Sequence, residues 1–398
     1  MLRCLTGKSL IYNILKERSN GLKSYKILHV EYRDYVHPEA GGAEVVLQEV
    51  YKRLSAQGHQ IDYLTSKYEG ASDTEMMDGV RMIRLGNKWN FNWVAPRYFK
   101  KNLEKNNYDV IIEGIDKIPF YFPKYTKTPV LALVPHLFGT TAFEEATFPA
   151  AAYVWLMEQF IPWGYRHVPY YMTYSESTKA DLIQRGISAD KIHVAYIALN
   201  HDLYRPSQNS QKTPHSLCFV GRIKRYKFIE YGILAVERLR SEFPDIIYHI
   251  VGRGDNLPHL QKLVKEKGLE NHVKFWGFVD DKTKVEILQK SQVLLYNSVK
   301  EGWGLTAIEA NACGTPVIAS NSPGLREAVV DQKTGFLVEH GNIDQLTDKI
   351  KQIFTTPELR QKLEQGSIEW ANTFNWDKTA DRFLEFTQKT VEYYKIGK

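Results

Sequence analysis

Residues 301–319 hold the side chains and turns with the clearest chemical potential in this chain. The segment begins with Glu301, Gly302, Trp303, Gly304, Leu305 and Thr306. Glycines just before a helix, predicted here from about Leu305, leave backbone N–H groups accessible at the positive end of the helix dipole, where anions bind. Glu301 is placed to accept hydrogen bonds from sugar hydroxyls, and Glu309, a turn into the helix, to hold both hydroxyls of a ribose. The alternative is that both carboxylates only complement the helix dipole.

A cluster of cations directly follows a predicted strand in the second half of the chain. After Val220 and Gly221 come Arg222, Lys224, Arg225 and Lys227. A cation about 4 Å from a phosphate contributes a few kcal/mol at an intermediate dielectric, which is enough to stabilise a diphosphate leaving group. We therefore expect a diphosphate site at Arg222 and Lys227, with a solvated loop as the alternative.

Two further glycine turns lie near predicted strand ends. Gly41 and Gly42 open a helix, which indicates either an anion site or an ordinary tight turn. Gly252 and Arg253 follow another strand, which fits either a close backbone approach to a ligand or a simple turn. The first turn lacks the G-x-G-x-x-G fingerprint of a nicotinamide-dependent oxidoreductase, so that function is disfavoured.

The elements that must position these residues alternate between strands and helices. Apolar runs predict strands at residues 27–30, 61–65, 80–85, 109–113, 130–134 and 171–174. A second series predicts strands at residues 217–220, 246–251, 273–275, 293–296, 316–319 and 336–338. Between the first two strands, apolar residues from Ala43 to Leu54 recur at helical spacing, and Gly58 is predicted to end that helix. The pattern predicts an α/β protein of two parallel-sheet domains, with ligands at the carboxyl ends of the strands in a central cleft.

Composition excludes several classes of protein. The chain of 398 residues is 43% hydrophobic and 25% charged, which is typical of a globular protein, and no run approaches the roughly 18 apolar residues that span a bilayer. Cys4, Cys218 and Cys313 lie too far apart for a disulfide framework or a Cys-based zinc site, which favours a reducing cytoplasm. Residues 1–24 hold five cations against one anion, out of a net charge of +6. The rest is close to neutral, so no domain-wide basic face for nucleic acid is expected.

Two stretches raise the question of a membrane. Leucines and isoleucines lie among the cations of residues 1–24, which would suit a short amphipathic helix on an anionic bilayer or simply a frayed tail. Residues 148–163 are dense in aromatic side chains. They could line an apolar acceptor channel or touch a bilayer, but we favour a helix buried against its own sheet. A peripheral position at the inner face of the plasma membrane is therefore compatible with the sequence.

These motifs together resemble those of the retaining GT-B-fold glycosyltransferases, group 1 or family 4. Residues 301–319 resemble the E-x7-E signature of that family, and Gly221-Arg222 followed by Lys227 resembles its G-R-x4-K motif. Gly41-Gly42 is similar to its N-domain glycine loop, and residues 175–177 to its approach to the interdomain connection. The likeness runs from about residue 26 to 387, but residues 198–202 have no clean counterpart of the usual N-G-V-D hinge.

The resemblance implies roles and domain limits. It implies that His136 contacts the transferred sugar, Arg222 and Lys227 the diphosphate, Glu301 the sugar and Glu309 the ribose. We expect donor contacts from Gly41, Gly42, Gly221, Gly252, Arg253, Trp276, Gly302, Trp303, Gly304, Leu305, Thr306 and Glu309. The expected parts are a basic tail at 1–24, an acceptor-side domain at 25–199, a linker at 200–214, a nucleotide-sugar domain at 215–375, and a helix at 376–398 that crosses back to the first domain.

The activity that the resemblance implies is hexosyl transfer from a nucleotide sugar with retained anomeric configuration. UDP-glucose is the favoured donor, and the acceptor is a hydroxyl of a saccharide or lipid-linked saccharide in polysaccharide or glycoconjugate synthesis. No cofactor is expected, and the absence of an Asp-x-Asp triplet in the sequence fits a metal-independent enzyme. A GT-B epimerase, a phosphorylase and a non-catalytic nucleotide-sugar-binding protein stay open as alternatives.

Overall fold

A computed structural model describes residues 23–116, 118–145, 147–207 and 211–396. The chain divides into two compact units. The first combines residues up to Ala142 with Phe148–Ile197 and the segment from Trp376 onward, and the second combines Ala198–Asn375 with Phe143–Thr147. The amphipathic helix considered for residues 1–24 lies almost entirely outside the described residues. Within the described ranges, no helix is both long and apolar enough to cross a membrane.

The first unit is built on a sheet of eight strands. Their bounds are β1 (Lys26–Val30), β2 (Gln60–Ser66), β3 (Thr74–Met77), β4 (Val80–Leu85), β5 (Val110–Gly114), β6 (Val130–Val134), β7 (Tyr171–Thr173) and β8 (Ile192–Val194). The strand order is β3-β4-β2-β1-β5-β6-β7-β8, and only the β3–β4 pair is antiparallel. All strands predicted for this half are confirmed, whereas β3 and β8 were not predicted.

The second unit is built on a six-stranded parallel sheet. Its strands are β9 (Ser216–Val220), β10 (Ile247–Val251), β11 (Val273–Gly277), β12 (Val293–Tyr296), β13 (Val317–Ser320) and β14 (Gly335–Val338). They are ordered β11-β10-β9-β12-β13-β14. This confirms the second predicted series. Because β9 lies between β10 and β12, the loops that follow these three strands meet at one edge of the sheet.

The helices cover the sheets and alternate with the strands. In chain order they are α1 (Gly42–Ala56), α2 (Phe91–Tyr98), α3 (Ala142–Glu145), α4 (Phe148–Gln159), α5 (Ile161–Gly164), α6 (Glu176–Gln184), α7 (Glu230–Leu239), α8 (Leu257–Glu266), α9 (Asp281–Lys290), α10 (Leu305–Ala312), α11 (Leu325–Ala328), α12 (Ile343–Thr355), α13 (Pro357–Ala371) and α14 (Trp376–Ile396). The predicted spacing in α1 is confirmed, since Val46, Leu47, Val50 and Leu54 are buried. Gly58 follows the helix end with φ +92°, as expected of a glycine that closes a helix.

The aromatic-rich residues 148–163 form α4 and α5, and the favoured interpretation that they are buried is wrong. In α4 only Ala151 and Glu158 are buried. Trp155, Phe160 and Trp163 are 39%, 46% and 58% exposed. The face that α4 turns inward is occupied by a small residue and a carboxylate, so its large apolar side chains point outward.

The predicted linker, residues 200–214, forms hydrogen bonds with residues of the second unit at both of its described ends. The His201 ring nitrogen Nε2 lies 2.7 Å from the carbonyl oxygen of Phe374. The Lys212 ammonium donates hydrogen bonds to Thr315 Oγ1 at 2.7 Å and to the carbonyl oxygen of Ser291 at 2.9 Å. Its burial lowers the pKa of Lys212 to about 8. The described parts of this segment, residues 200–207 and 211–214, are therefore bonded to the second unit.

Candidate functional site

The carboxyl edge of the second sheet brings Lys227 and Glu301 into direct contact. Lys227 lies in the loop after β9 and Glu301 in the loop after β12, and these strands are paired in parallel. The Lys227 ammonium donates a hydrogen bond to Glu301 Oε1. Only 8% of the Lys227 side chain and 13% of the Glu301 side chain are exposed. The ammonium also lies 5.1 Å from the centre of the Tyr296 ring, so carboxylate and aromatic groups fix its position.

Helix α10 begins at Leu305, in the same loop and shortly after Glu301. Gly304 precedes the helix with φ +91° and supplies no capping side chain, so the first N–H groups are not satisfied by a cap. A Cβ at Gly304 would lie 3.0 Å from the Cβ of Ala328, so a side chain would crowd this position. Leu305 and Thr306 are only half-buried. The arrangement can hold an anion between backbone N–H groups and a cation.

Trp303 was predicted as a donor contact, and the structure limits what it can do. The residue is 3% exposed, and its ring centre lies 5.5 Å from that of Phe374. The indole thus packs inside the second unit and Trp303 offers almost no surface to a ligand, whereas the neighbouring Gly302 is half-buried. The site prediction for Trp303 is to that extent corrected, because a large apolar ring is more stable when buried.

Glu309 lies inside the second unit and has partners that come from two other elements. Its residue exposure is 9%, and its Oε1 lies 3.5 Å from the ammonium of Lys284 on α9. The hydroxyl of Tyr204 also approaches its carboxylate and affects its pKa. Burial raises the pKa of Glu309, while Lys284 and the Tyr204 hydroxyl act in the opposite direction. Neither Tyr204 nor Lys284 was predicted from the sequence.

The close approach of a neighbouring loop requires a glycine at position 252. Its φ is +136°, and a Cβ there would lie 1.9 Å from the carbonyl oxygen of Gly221. The Ile223 amide donates to the carbonyl oxygen of Arg253 at 2.8 Å. The loops after β9 and β10 therefore pack backbone against backbone, and this contact orients Arg222. The Arg222 and Arg253 side chains are exposed, where they can approach a ligand.

Trp276 and its neighbours occupy the end of β11. Its indole Nε1–H donates to His249 Nδ1 at 3.1 Å, and the Lys274 ammonium lies 3.7 Å from the indole ring centre. Phe278, two residues further, is 72% exposed. A flat aromatic ring that is both exposed and near a strand end is suited to stacking on a nucleotide base.

In the first unit, His136 follows β6 and is held in a loop that Glu158 organises. The His136 ring centre lies 4.6 Å from that of Phe138. The Glu158 carboxylate accepts hydrogen bonds from the amides of Phe138 at 2.7 Å and Gly139 at 2.9 Å, and Arg185 lies 3.5 Å from it. Sequence reasoning did not single out Glu158, although one carboxylate within an aromatic run was the available signal.

The start of α1 is already bonded to a carboxylate of the chain itself. The Gly41 amide donates to Glu44 Oε2 at 2.8 Å. Glu44 also pairs with Arg33 at 3.0 Å, and Arg33 lies 3.3 Å from Asp116 Oδ2. The Gly41–Gly42 turn therefore begins a helix whose first N–H is capped internally, and a mixed cluster of charged groups lies beside it.

Of the predicted site residues, Lys227 and Glu301 contact each other directly. The second unit also places Gly221, Gly252, Arg222 and Arg253 on the touching loops after β9 and β10, and Gly302, Gly304, Leu305 and Thr306 at the start of α10. Glu309 lies one turn into that helix. Gly41, Gly42 and His136 belong to the first unit, at the carboxyl ends of its own strands.

Two family models match consecutive parts of the chain. "Glycosyltransferase Family 4" matches residues 40–203, and "Glycosyl transferases group 1" matches residues 200–370. The second match contains the loops after β9, β10 and β12 and the whole of α10.

Relatives of named activity are similar to this chain. A D-inositol 3-phosphate glycosyltransferase from Thermomonospora curvata is 25% identical over 395 residues, which cover 87% of this chain and 90% of the relative. The protein of the same name from Jonesia denitrificans is 33% identical over 181 residues, which cover 44% of this chain and 43% of the relative. The match thus spans less than half of the second relative's length.

Solved structures share the fold. Sucrose-phosphate synthase from Thermosynechococcus elongatus has a TM-score of 0.77 at 22% identity, with 92% of this chain and 98% of that chain covered. Anabaena Alr3699/HepE, solved with UDP and glucose, has a TM-score of 0.71 at 19% identity, with 92% and 100% covered.

Proposed function

The chain belongs to the group 1 glycosyltransferases and has their GT-B fold of two parallel-sheet α/β domains, and from that premise we propose that it transfers a hexosyl group from a nucleotide sugar to a hydroxyl acceptor with retained anomeric configuration. One observation carries the proposal. A buried ion pair joins Lys227 to Glu301, and the uncapped start of α10 follows shortly after Glu301. An ion pair of this kind supports the proposal, because a cation suits a diphosphate and a neighbouring carboxylate suits the hydroxyls of a sugar.

The proposed reaction breaks the bond between the anomeric carbon and the diphosphate oxygen. Arg222, Lys227 and the N–H groups that follow Gly304 stabilise the negative charge that accumulates on the departing diphosphate. The acceptor oxygen forms the new bond on the same face of the sugar, and its proton passes to the leaving diphosphate oxygen. Atoms and charge balance, because the diphosphate leaves with the electron pair of the broken bond and takes up that proton. His136 is assigned a contact with the transferred sugar.

We propose UDP-glucose as the donor. The structural neighbour from Anabaena was solved with UDP-glucose and with UDP and glucose. Trp276 and the exposed Phe278 offer aromatic surface for the base, and Glu309 is the group proposed to receive the ribose hydroxyls. The position of Glu301 against Lys227 fits a sugar attached directly to the diphosphate.

The proposed acceptor is a saccharide or a lipid-linked saccharide, which would place the enzyme in polysaccharide or glycoconjugate synthesis. Although the relatives named above act on inositol 3-phosphate, Arg33 of this chain is already paired with Glu44 and Asp116. Two carboxylates around one guanidinium repel a phosphate but can accept hydrogen bonds from neutral hydroxyls. The cluster thus favours an uncharged acceptor group.

A peripheral membrane contact through α4 and α5 fits a lipid-linked acceptor. Trp155 on α4, Trp163 on α5 and Phe160 between them are exposed, and the Lys124 ammonium lies 4.0 Å from the Trp163 ring centre. Aromatic rings beside a cation suit the interface of an anionic bilayer. Flotation with phosphatidylglycerol liposomes should recover wild type and the control Trp89→Ser, whose Trp89 is 81% exposed elsewhere, but little of the double variant Trp155→Ser/Trp163→Ser. Equal recovery of all three, or no recovery of wild type, would contradict this contact.

A panel of nucleotide sugars tests the donor proposal. Thermal unfolding is followed with UDP-glucose, UDP-galactose, GDP-mannose and ADP-glucose, and a ligand at 100 times its dissociation constant stabilises the folded protein by about 2.7 kcal/mol. We expect UDP-glucose to give the largest shift. Product analysis with and without a saccharide acceptor then separates transfer from an epimerase, which would change the sugar without any acceptor. No shift with any nucleotide sugar would overturn the proposed function.

A further inference from the structure

We propose that Tyr204 and Lys284 are positioning residues of the donor site, which together hold the Glu309 carboxylate in the orientation that receives the ribose hydroxyls of the nucleotide. The inference rests on the proposed function and deepens it, because it names residues that determine recognition of the ribose. Neither residue belongs to the motifs found in the sequence, and Tyr204 comes from the segment that was predicted to be a linker.

Three elements converge on the Glu309 carboxylate. Glu309 itself lies one turn into α10, Lys284 comes from α9, and Tyr204 comes from the segment that opens the second unit. The Lys284 ammonium lies 3.5 Å from Glu309 Oε1, and the Tyr204 hydroxyl approaches the same carboxylate and lowers its pKa. Because Glu309 is 9% exposed, its carboxylate has protein on most sides and only a limited opening toward a ligand.

Both partners are themselves held in place. The Lys284 ammonium lies 4.9 Å from the centre of the Tyr204 ring and 3.4 Å from Asp281 Oδ1. Tyr204 is 6% exposed, and its amide donates to the carbonyl oxygen of Asn200 at 2.8 Å. The next residue, Arg205, accepts a hydrogen bond on its carbonyl oxygen from Gln289 at 2.7 Å. A Tyr and a Lys fixed in this way leave the carboxylate little freedom to rotate.

The chemistry requires an ionised and oriented carboxylate. An ionised carboxylate has about four lone-pair directions, so it can accept from Tyr204 and Lys284 on one side and from two ribose hydroxyls on the other. Burial raises the pKa of Glu309 and Asp281 adds to that effect, whereas Lys284 and Tyr204 oppose it. Burial, and after it the Glu309 carboxylate, raises the pKa of the neighbouring Cys313 thiol. Burial also raises the pKa of Tyr204, so its hydroxyl keeps the proton that it donates.

The experiment compares nucleotides that differ only in the ribose. Calorimetry measures the dissociation constants of UDP, 2′-deoxy-UDP and 3′-deoxy-UDP for the full chain, together with the GDP and ADP sets in case another base is preferred. The variants are Tyr204→Phe, Lys284→Met and the conservative Lys284→Arg. The controls are Lys282→Met, an exposed residue of the same helix, and Glu309→Gln as the benchmark for loss of the carboxylate. Thermal unfolding checks that each variant is folded.

We expect wild type to bind the parent diphosphate at least about tenfold more tightly than one of its deoxy forms, because a hydrogen bond to a charged group is lost. Tyr204→Phe and Lys284→Met should each weaken binding of the parent nucleotide several-fold. They should also bring the ratio of the dissociation constants of deoxy and parent forms toward one, as is expected of Glu309→Gln. Lys284→Arg and Lys282→Met should keep the wild-type ratio. If Tyr204 and Lys284 served only folding, their replacement would weaken binding of all the nucleotides equally.

Two results would overturn the inference while leaving the proposed function intact. One is a wild-type protein that binds a nucleoside diphosphate without discriminating against either deoxy form. The other is folded Tyr204→Phe and Lys284→Met variants that both keep the wild-type ratio. If wild type binds none of UDP, GDP and ADP, the proposed function itself fails and the inference fails with it.

Discussion

In the proposed site, Lys227 binds the diphosphate and Glu301 binds the sugar, and the structure pairs these two side chains in one ion pair. Lys227 is 6% exposed and has both the Glu301 carboxylate and the Tyr296 ring as neighbours. A diphosphate that enters must therefore share this ammonium with a carboxylate of the protein. In the proposed site, the negative charge of Glu301 would oppose binding of the nucleotide alone and would become favourable only when a sugar offers hydroxyls to it.

We therefore predict that Glu301→Gln separates nucleotide binding from sugar transfer. The affinity for UDP should rise several-fold, because a like charge near the diphosphate is removed, while the transfer rate should fall by about tenfold or more, because the sugar loses a charged acceptor of hydrogen bonds. Calorimetry with UDP and a transfer assay measure the two effects. Glu286→Gln, an exposed carboxylate of α9, is the control. Weaker UDP binding by a folded Glu301→Gln variant would show that the carboxylate supports the diphosphate instead of opposing it.

A second prediction at this scale concerns His29 in β1 and the stability of the first unit toward acid. The imidazole is buried with Nδ1 2.8 Å from the Tyr51 hydroxyl oxygen, and burial lowers the pKa of His29 to about 3. The unfolded chain binds a proton at this residue below about pH 6.5, and the folded chain does not, so stability is lost as the pH falls from 6.5 toward 3. Between pH 7 and 5 the loss should be about 2 kcal/mol.

The variant His29→Phe isolates this effect. It is expected to be less stable at pH 7, because the bond to Tyr51 is lost, but its free energy of unfolding should fall less between pH 7 and 5 than that of wild type. Chemical denaturation at both pH values measures the difference, and His167→Phe, at an exposed position, is the control. Identical pH slopes for wild type and His29→Phe would contradict the assignment.

Many positions of the candidate site were predictable from the sequence, and their partners were not. Glu301, Glu309, Arg222 and Lys227 stand at fixed spacings after strand-like runs, so their types and order could be interpreted directly. Tyr204 and Lys284 are separated by many residues from Glu309 and from each other, and their contacts exist only because three elements pack together. Sequence spacing carries no signal for such contacts.

At the scale of elements, the loops after β9 and β10 form the frame that holds the cations. Gly252 is the tightest point of that frame, since a Cβ would lie 1.9 Å from the Gly221 carbonyl oxygen. We predict that Gly252→Ala destabilises the protein by more than about 2 kcal/mol, because both a steric clash and a φ of +136° must be accommodated. UDP affinity should fall as well, because Arg222 is displaced.

The matched control for this change is Gly268→Ala. Gly268 has φ +59°, but the nearest atom to an added Cβ is 3.9 Å away, so only the backbone penalty of about 1 kcal/mol applies. Thermal unfolding and UDP titration of both variants measure the comparison. Equal effects of the two substitutions would show that the packing of the loops after β9 and β10 contributes neither to stability nor to UDP affinity.

Some strands and helices could be predicted from the sequence more reliably than others. Buried strands of both sheets were predicted because continuous apolar runs identify them, but β3 was missed because its residues Thr74–Met77 are largely exposed. Its turn at Asp78-Gly79, with φ +49° and +81°, was the available signal for a hairpin. The burial of α4 was wrongly predicted, because an aromatic-rich composition does not say which face of a helix turns inward.

At the scale of the whole molecule, the first unit depends on both ends of the described chain. Helix α14, from Trp376 to Ile396, belongs to the first unit, where Asp377 lies 2.9 Å from Arg53 on α1 and Phe386 stacks on His193 at 4.0 Å. Its buried face includes Phe383 and Val391. The sheet of the first unit therefore has part of its cover supplied by residues that follow the entire second unit.

We predict that deletion of residues 376–398 destabilises the first unit selectively. Each large apolar side chain removed costs about 1.5–3 kcal/mol of burial, and the deletion removes several. Calorimetry should show that one unfolding transition moves to lower temperature, whereas Tyr393→Ser, at a 54% exposed position of α14, should leave both transitions nearly unchanged. An unshifted thermogram for the deletion would contradict this account of the first unit.

The two-sheet architecture was predictable as a whole because alternating strands and helices allow few arrangements. The stereochemical outcome, the sugar and the acceptor are proposals, since they depend on the shape of loops and not on the order of strands and helices. The loop of His136, for example, is fixed by Glu158, a residue of α4, through the amides of Phe138 and Gly139. Contacts of this kind become visible only in three dimensions.

The central claim is that the loop after β9 holds the diphosphate of a nucleotide sugar through Arg222 and Lys227. The most direct measurement is the binding and transfer of UDP-glucose by folded Arg222→Ala and Lys227→Ala variants, with Arg225→Ala, an exposed cation of the same loop, as the control. We predict about 10²-fold slower transfer and markedly weaker binding for the first two, and near wild-type behaviour for the control. Wild-type binding and transfer by both Arg222→Ala and Lys227→Ala would contradict it.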